Sequence, residues 1–289
     1  MKNLSLILIL ALTAGLLFGC SAPEAPADIA ATTLPVYQFT AMLVEGTELT
    51  VTRLVTESVS CLHDYSLNVS QVKAIEGASV VVISGVGMEA FMEDLLADKA
   101  VIDSSASVPL LESCHDHGHE GHVHEADSHI WLSPINAAIM ANNICHGLCQ
   151  AYPQYTEQFQ ANLVILQEKL DTLQAYGKAQ LKELSCRQII TFHDGFSYLA
   201  ACYDLEILAA VEEESGSEAS AQELIELIGI IRSHSLTAVF TEENGADSAA
   251  KIISAETGTQ IYTLNMAMAG EDYFAAMYQN IDALREALK

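Results

Sequence analysis

The feature that most constrains the fold of this chain is an alternation of short apolar runs with helical segments, repeated on both sides of one long helical stretch. Strands are predicted over 28–33, 49–55, 79–84 and 100–103, and again over 188–192, 205–208, 238–241 and 260–264. Helices are predicted between them, over 37–45, 69–75 and 88–97, and later over 196–202, 219–232, 247–256 and 273–288. Strands that alternate with helices form parallel sheets. The sequence therefore predicts an α/β fold with two lobes, each a parallel sheet flanked by helices.

The stretch between the two halves, residues 156–184, is free of proline and has helical periodicity. One face carries Leu163, Leu166, Leu170 and Leu173. At 1.5 Å per residue this helix would be roughly 40 Å long, so we expect one rigid helix to join the lobes. The predicted divisions are a leader over 1–19, a tether over 20–31, an N-terminal lobe over 32–153, the connecting helix over 154–185 and a C-terminal lobe over 186–289.

The N-terminus has the pattern of a secretory leader. Its apolar run, 4–18, is too short to span a bilayer comfortably. Gly19 precedes Cys20, as at a bacterial lipoprotein processing site, and the sequence SAPEAPAD that follows is typical of a flexible tether. We therefore expect an extracytoplasmic protein that is lipid-anchored to the cell membrane through Cys20. An ordinary signal peptide with an incidental cysteine is the alternative.

The net charge of the chain is −26, with 12 basic and 38 acidic residues. Nucleic-acid binding requires a basic surface that neutralises phosphates, so this composition excludes nucleic acid as an expected partner. Six cysteines follow Cys20, an even number that permits disulfides without revealing their pairing; they are Cys61, Cys114, Cys145, Cys149, Cys186 and Cys202.

The segment 114–128 is unusually rich in histidine, interleaved with glycine and acidic residues. Its histidines are His115, His117, His119, His122 and His124. Such a composition cannot build a packed core, but imidazoles bind borderline-soft divalent ions. We expect a mobile accessory loop that binds metal.

Three histidines outside this dense run carry the strongest indication of a metal site. His63 follows a predicted strand, His129 precedes a predicted helix and His193 directly follows the strand over 188–192. In open α/β sheets, ligands bind beyond the carboxyl ends of the strands, and three imidazoles fit a tetrahedral zinc site with one remaining position. A capping or hydrogen-bonded role is the alternative for each histidine alone. His146 and His234 are interpreted as residues on helix surfaces.

Five short motifs then give a specific resemblance. Residues 61–73, CLHDYSLNVSQVK, resemble the "HDY/HxYxxxPxDV" segment of TroA-like metal-binding proteins of ABC importers, and 87–92, GMEAFM, resembles the "xExxM/W" segment that follows it there. HIWLSP at 129–134 is similar to "HxWLDP", TFHDGFSY at 191–198 to "xHxAFxY", and VFTE at 239–242 to "IFxE". Their order and spacing match over essentially the whole mature chain.

The resemblance implies two α/β lobes joined by a backbone helix, with a metal bound in the cleft by His63, His129 and His193. In this family a histidine in the third place usually accompanies zinc, and a histidine-rich loop before the second ligand marks the zinc branch. The expected function is therefore capture of Zn²⁺ and delivery to an ABC permease and its ATPase, by a monomer that is not an enzyme. The loop histidines are expected to be accessory zinc ligands.

The fourth ligand is left open by the resemblance. The family often has an aspartate where this chain has Asn265, and zinc-specific relatives sometimes have a glutamate where it has Leu62. Neither usual carboxylate is present, so three candidates remain for the fourth ligand: water, Asn265 and Glu242. The amide oxygen of Asn265 would compete poorly for zinc. Capping of a helix N-terminus is the alternative role for Glu242.

Other functions remain as alternatives. A manganese-binding or adhesin relative of the same family would share the fold. A zinc hydrolase would also use three histidines and an open position, but the sequence has no His-Glu-x-x-His pair.

Overall fold

The structure of the chain is a computed structural model, and it describes residues 26–57, 62, 65–111, 126–211, 219–243, 245–268 and 270–289. The predicted leader, Cys20, His63 and the loop histidines His115 to His124 lie outside the described residues. Where the chain is described, none of its helices has both the length and the apolar content that crossing a membrane requires.

The first half of the chain forms a four-stranded parallel sheet of order β2-β1-β3-β4. Its strands are β1 (Ile29–Ala31), β2 (Val51–Arg53), β3 (Val80–Ile83) and β4 (Ala100–Asp103). Its helices are α1 (Leu34–Leu43), α2 (Val69–Gly77), α3 (Glu93–Leu96) and α4 (Pro134–Ala151). The inner strands β1 and β3 are almost wholly buried, as expected for a sheet covered on both faces.

The second half repeats this arrangement in a parallel sheet of order β6-β5-β7-β8. Its strands are β5 (Gln188–Thr191), β6 (Glu206–Ala210), β7 (Ala238–Glu242) and β8 (Gln260–Leu264). Its helices are α6 (Ser197–Cys202), α7 (Ala221–His234), α8 (Ser248–Thr257) and α9 (Tyr273–Leu288). The predicted fold class is confirmed, and each predicted strand occurs within a few residues of its expected position.

Two helices begin where capping residues require it. The Asn68 side chain accepts hydrogen bonds from the N–H groups of Ser70 and Gln71, and the Gln71 side chain accepts from the Asn68 N–H in return. Ser220 and Glu223 form the same reciprocal pair before α7. Each pair satisfies backbone donors that have no partner within the helix.

The connecting helix, α5 (Thr156–Gln180), has 25 residues and is about 38 Å long. It packs against α1 and α4 of the N-terminal half and against α9 of the C-terminal half. Near its end, Gly177 lets the Tyr203 ring lie directly on the helix, since a Cβ at Gly177 would be 2.4 Å from atoms of that ring. The helix ends at Gln180, four residues before the predicted end at Leu184.

The helix predicted over 88–97 is not continuous. A 3-10 turn, Ala90–Met92, precedes the four-residue helix α3. The buried Glu89 carboxylate accepts hydrogen bonds from the N–H groups of Ser84 and Gly85 and from the Thr32 hydroxyl. These hydrogen bonds hold the start of the segment against the ends of β1 and β3. The contact with Thr32 spans 57 residues, and the apolar periodicity of the segment does not reveal it.

The two lobes also touch each other directly, beside the connecting helix. Trp131, fully buried, donates from Nε1 to the Met266 carbonyl at 2.8 Å, and the Tyr273 hydroxyl donates to the Trp131 carbonyl at 2.7 Å. The Leu34 N–H donates to the Met268 carbonyl at 3.0 Å. One apolar core extends through both lobes around these contacts. The lobes are therefore held together more firmly than by a single helix.

Candidate metal site

His129 is fixed at the start of the 3-10 turn that precedes α4. Its Nδ1 lies 2.8 Å from the Asp127 carboxylate, and the same oxygen accepts the His129 N–H at 2.9 Å. A carboxylate only accepts hydrogen bonds, so Nδ1 carries the proton and the lone pair is on Nε2. That Nε2 atom is buried and has no hydrogen-bond partner within the described residues. A buried imidazole lone pair without a partner is suited to bind a metal ion.

Asp127 lies almost entirely out of contact with solvent, with 1% of its side chain exposed. Burial acts to raise its pKa, but the hydrogen bonds from His129 and its electrostatic interaction with that ring, with a smaller contribution from Ser197, outweigh burial and lower the pKa below its ordinary value. The group is therefore an anion at neutral pH. An anionic partner raises the basicity of the imidazole that it orients.

His193 follows β5 in the other lobe and meets His129 between the lobes. Their ring centroids are 5.4 Å apart, and the rings are nearly perpendicular, at 85°. Gly195 leaves room for this approach, because a Cβ there would lie 2.9 Å from His129 Nδ1 and 2.8 Å from His193 Cδ2. The structure thus brings two of the three predicted imidazoles together.

Glu242, the last residue of β7, lies beside His193. Its Oε2 atom is 3.5 Å from His193 Nδ1, and its side chain is 3% exposed. Burial raises the pKa of Glu242 to about 8, so the carboxyl is mostly protonated near pH 7. Glu242 is thus at the site, but it is mainly neutral.

Asn265 is engaged elsewhere. Its Oδ1 atom accepts the Ala267 N–H at 2.7 Å, and its Nδ2 atom donates to the Glu243 carboxylate. Its N–H donates to the Asn280 side chain at 2.7 Å. These contacts are those of a residue that stabilises the turn after its strand, which is the capping role that asparagine often takes.

The first predicted ligand, His63, lies outside the described residues, whereas its neighbour Leu62 is described. Leu62 is 2% exposed and belongs to the apolar core. That position therefore supplies core packing where zinc-specific relatives sometimes have a glutamate. Over the described ranges alone, no group of three or more histidine, cysteine, aspartate or glutamate side chains is close enough to hold a metal.

The other histidines and cysteines of the described residues stay apart from this site. His146 and His234 are exposed on α4 and α7. Four thiols are free, those of Cys145, Cys149, Cys186 and Cys202. Cys61 and Cys114 lie outside the described residues.

Sequence reasoning missed two residues that organise the site, Asp127 and Tyr198. Asp127 lies two residues before His129, and its spacing alone gave a weak signal because many acidic residues occur nearby. The Tyr198 hydroxyl donates to the Asp127 carbonyl at 2.9 Å. It is 71 residues away in sequence, so nothing local indicates the contact.

Two α/β lobes, a long connecting helix and facing histidines between the lobes define a class: two-lobed solute-binding proteins. The match to a family model makes the assignment specific. The model of the zinc-uptake complex component A periplasmic family, ZnuA, matches residues 29–287, and the chain belongs to this family.

Similar proteins agree with this assignment. The chain is 32% identical to the zinc-binding lipoprotein AdcA of Streptococcus pneumoniae strain R6, in an alignment that covers 99% of this chain and 61% of AdcA. The chain therefore spans 61% of the length of that relative. A crystal structure of ZnuA superposes with a TM-score of 0.79 at 29% identity, covering 91% of this chain and 100% of that one. The Zn(II)-bound ZnuA-like domain of S. pneumoniae AdcA superposes with a TM-score of 0.76 at 28% identity, covering 91% and 98%.

Proposed function

We propose that this protein captures Zn²⁺ between its lobes and delivers it for import. The observation that carries the proposal is the pair of imidazoles from different lobes, of which His129 has a buried Nε2 without a hydrogen-bond partner in the described part of the chain and an Nδ1 held by Asp127. Imidazole is a preferred ligand of zinc. The family match and the Zn(II)-bound relative support zinc as the cargo.

The proposed ligands are His63, His129 and His193. For the fourth position, Glu242 and water are favoured over Asn265, since the Asn265 amide already bonds Ala267 and Glu243. A bound dication would favour the ionised form of Glu242 and offset the cost of its burial. With at most one anionic ligand, the site would bind tightly and still release its ion to a transporter.

The proposed partners are an ABC permease and its ATPase, and the proposed location is the outer side of the cell membrane. The family description, which names an uptake complex, supports the first. The cysteine of the leader pattern, Cys20, and the lipoprotein name of AdcA support a lipid anchor. We propose further that the protein acts as a monomer and catalyses no reaction.

The test is zinc binding by the purified chain that begins at Cys20, measured in competition with a chelator and by metal analysis. Wild type should bind one zinc tightly, and His63→Ala, His129→Ala and His193→Ala should each lose this site. Zinc at a thousandfold excess over its Kd should stabilise wild type by about 4 kcal/mol. Full affinity in all three variants, or a melting temperature indifferent to zinc, would contradict the proposal.

The histidine-rich segment is proposed to be accessory. Its composition does not favour a packed core, so binding would have to order the segment and should be weaker than binding at a preformed site. Deletion of 115–124 with His129 retained should remove only weak additional zinc equivalents in calorimetry. Loss of the tight site on this deletion would make the segment the primary site.

A further inference from the structure

Two residues on either side of the histidines at 115–124, Leu111 and Asp127, are hydrogen-bonded to each other, and a side chain of the other lobe binds both. The Asp127 N–H donates to the Leu111 carbonyl at 3.0 Å. The Tyr198 hydroxyl accepts the Leu111 N–H at 3.0 Å and donates to the Asp127 carbonyl at 2.9 Å. Its donor and acceptor capacities are therefore both used on this junction.

Asp127 is also the residue that orients His129. Its carboxylate binds both the His129 N–H and the His129 Nδ1 atom. Tyr198 thus holds the backbone of Asp127, and Asp127 holds the ring of His129. The Ser197 side chain, in the same turn of the helix, also lowers the pKa of the Asp127 carboxyl and so acts on the same residue.

These contacts cross between the lobes. Tyr198 and Ser197 are in the first turn of α6, five and four residues after His193. Leu111, Asp127 and His129 belong to the first half of the chain. One short segment of the C-terminal half therefore presents His193 to the site and also supports the histidine that faces it.

From this geometry we infer that Tyr198 is a positioning residue, which couples closure of the two lobes to the orientation of His129 and so controls zinc retention. Movement of the lobes apart removes the Tyr198 and Ser197 contacts at the same time as it separates His129 from His193. The freed Asp127 then holds the imidazole less firmly, and release of the ion follows opening. This inference rests on the proposed zinc function.

The chain offers a matched control for loss of a tyrosine hydroxyl. Tyr203 is 3% exposed and lies just after the same helix, and its hydroxyl is buried without a hydrogen-bond partner in the described structure. Tyr203→Phe removes a buried tyrosine hydroxyl that has no contact with Asp127. Tyr198→Phe removes a hydroxyl that makes two hydrogen bonds, and the aromatic ring at position 198 still fills the core.

The experiment measures zinc release into an excess of chelator by stopped flow, for the chain from Cys20 and its variants. Tyr198→Phe should release zinc about five- to tenfold faster than wild type, the effect expected for one buried hydrogen bond to a supporting residue. Tyr203→Phe should release it at the wild-type rate. In a double-mutant cycle, Asp127→Asn should abolish most of the effect of Tyr198→Phe, because the two residues act in series. Equal rates for Tyr198→Phe and Tyr203→Phe, or fully additive effects with Asp127→Asn, would overturn the inference.

A measurement without metal separates this inference from the proposed function. Nitrogen-15 NMR of the imidazoles in zinc-free wild type should show His129 as the single tautomer protonated on Nδ1, and Tyr198→Phe should add a population protonated on Nε2. If wild type failed to bind zinc, the proposed zinc function would be wrong. The tautomer populations of His129 would still show whether Tyr198 positions that ring. Should Tyr198→Phe not fold, Ser197→Ala takes its place, with the same expected changes and the same contrary result of an unchanged His129 tautomer.

Discussion

The two histidines that meet between the lobes are supported in different ways. The ionised Asp127 carboxylate lies 2.8 Å from His129 Nδ1. The backbone carbonyl of Asp127 in turn accepts a hydrogen bond from Tyr198 of the opposite lobe. His193 has the Glu242 carboxyl 3.5 Å from Nδ1, a longer contact, and burial raises the pKa of Glu242 to about 8. The side chain of His193 is 13% exposed, against 5% for His129.

For the zinc site proposed above, this difference makes His129 the preorganised ligand and His193, which is more exposed, the adaptable one. A ligand already held in its bound orientation loses little freedom on binding, which favours affinity. A more exposed ligand with a longer carboxyl contact can adjust to the ion and leave it again. The proposed carrier has to retain its cargo and then release it, and the two histidines would supply one property each.

The largest expected effect is loss of either imidazole. We expect His129→Ala and His193→Ala each to lower zinc affinity by more than the roughly 10–100-fold that loss of a supporting residue costs. His146→Ala, an exposed change on α4, is the control and should keep wild-type affinity. Chelator competition gives the three constants, and a His193→Ala protein with unaltered affinity would remove the adaptable ligand from the site.

The next prediction concerns the two carboxyl groups beside the histidines, those of Asp127 and Glu242. Asp127→Asn should weaken zinc binding by about 10–100-fold, because the amide no longer provides an anion to orient and polarise His129. Glu242→Gln should cost less, because burial raises the pKa of Glu242 to about 8 and the carboxyl must lose a proton before it can offer a negative charge to zinc. Calorimetry at one pH compares them. A loss in Glu242→Gln as large as in a histidine variant would instead identify Glu242 as the fourth ligand.

The space between the two rings gives a third test. Gly195→Ala places a methyl group within 3 Å of both imidazoles, so it should destabilise the protein by roughly 1–3 kcal/mol through overpacking and weaken zinc binding. Gly229 is the contrasting site, an exposed mid-helix glycine with open space where a Cβ would lie. Gly229→Ala should stabilise the protein by about 0.5–1 kcal/mol and leave zinc binding unchanged. Urea unfolding and chelator competition measure both effects, and unaltered binding in Gly195→Ala would show that the rings have room to separate.

The smallest effect is expected at Asn265. Asn265→Asp replaces a donor to Glu243 with a second carboxylate, so stability should fall by roughly 0.2–1 kcal/mol, a small effect because Glu243 is exposed. Zinc release into a chelator should keep its wild-type rate, since the side chain is part of a turn. Combination with Glu243→Gln should restore the lost stability. Slower zinc release in Asn265→Asp would place this side chain on the metal.

Local sequence signals located most of the secondary structure. The leucine face of α5 is buried at Leu166, Leu170 and Leu173, as its periodicity predicts. The α7 helix begins at the Ser220 and Glu223 pair, and the strands fall where apolar runs alternate with helices. These features depend on neighbours within a few residues, so the sequence expresses them directly.

Features that depend on contacts between residues distant in sequence were not predicted. At the interrupted helix after β3, Glu89 contacts Thr32 across 57 residues, and at the junction of the lobes Trp131 contacts Met266 across 135 residues. Neither contact leaves a local pattern. Periodicity therefore predicted one continuous helix over 88–97, where the structure has a break. It correctly predicted the long connecting helix, but not the core that the two lobes share beside it.

For the site, the sequence by itself predicted which side chains bind the metal, because histidines after strands and within characteristic motifs are visible in the residue types. Only the tertiary structure decided how they are used. It set the 5.4 Å approach of His129 to His193, gave Asp127 its orienting role and placed Tyr198 of the opposite lobe behind it. The physical reason is that orientation of a ligand is a matter of hydrogen-bond geometry between distant segments, and chain folding alone brings those segments within about 3 Å.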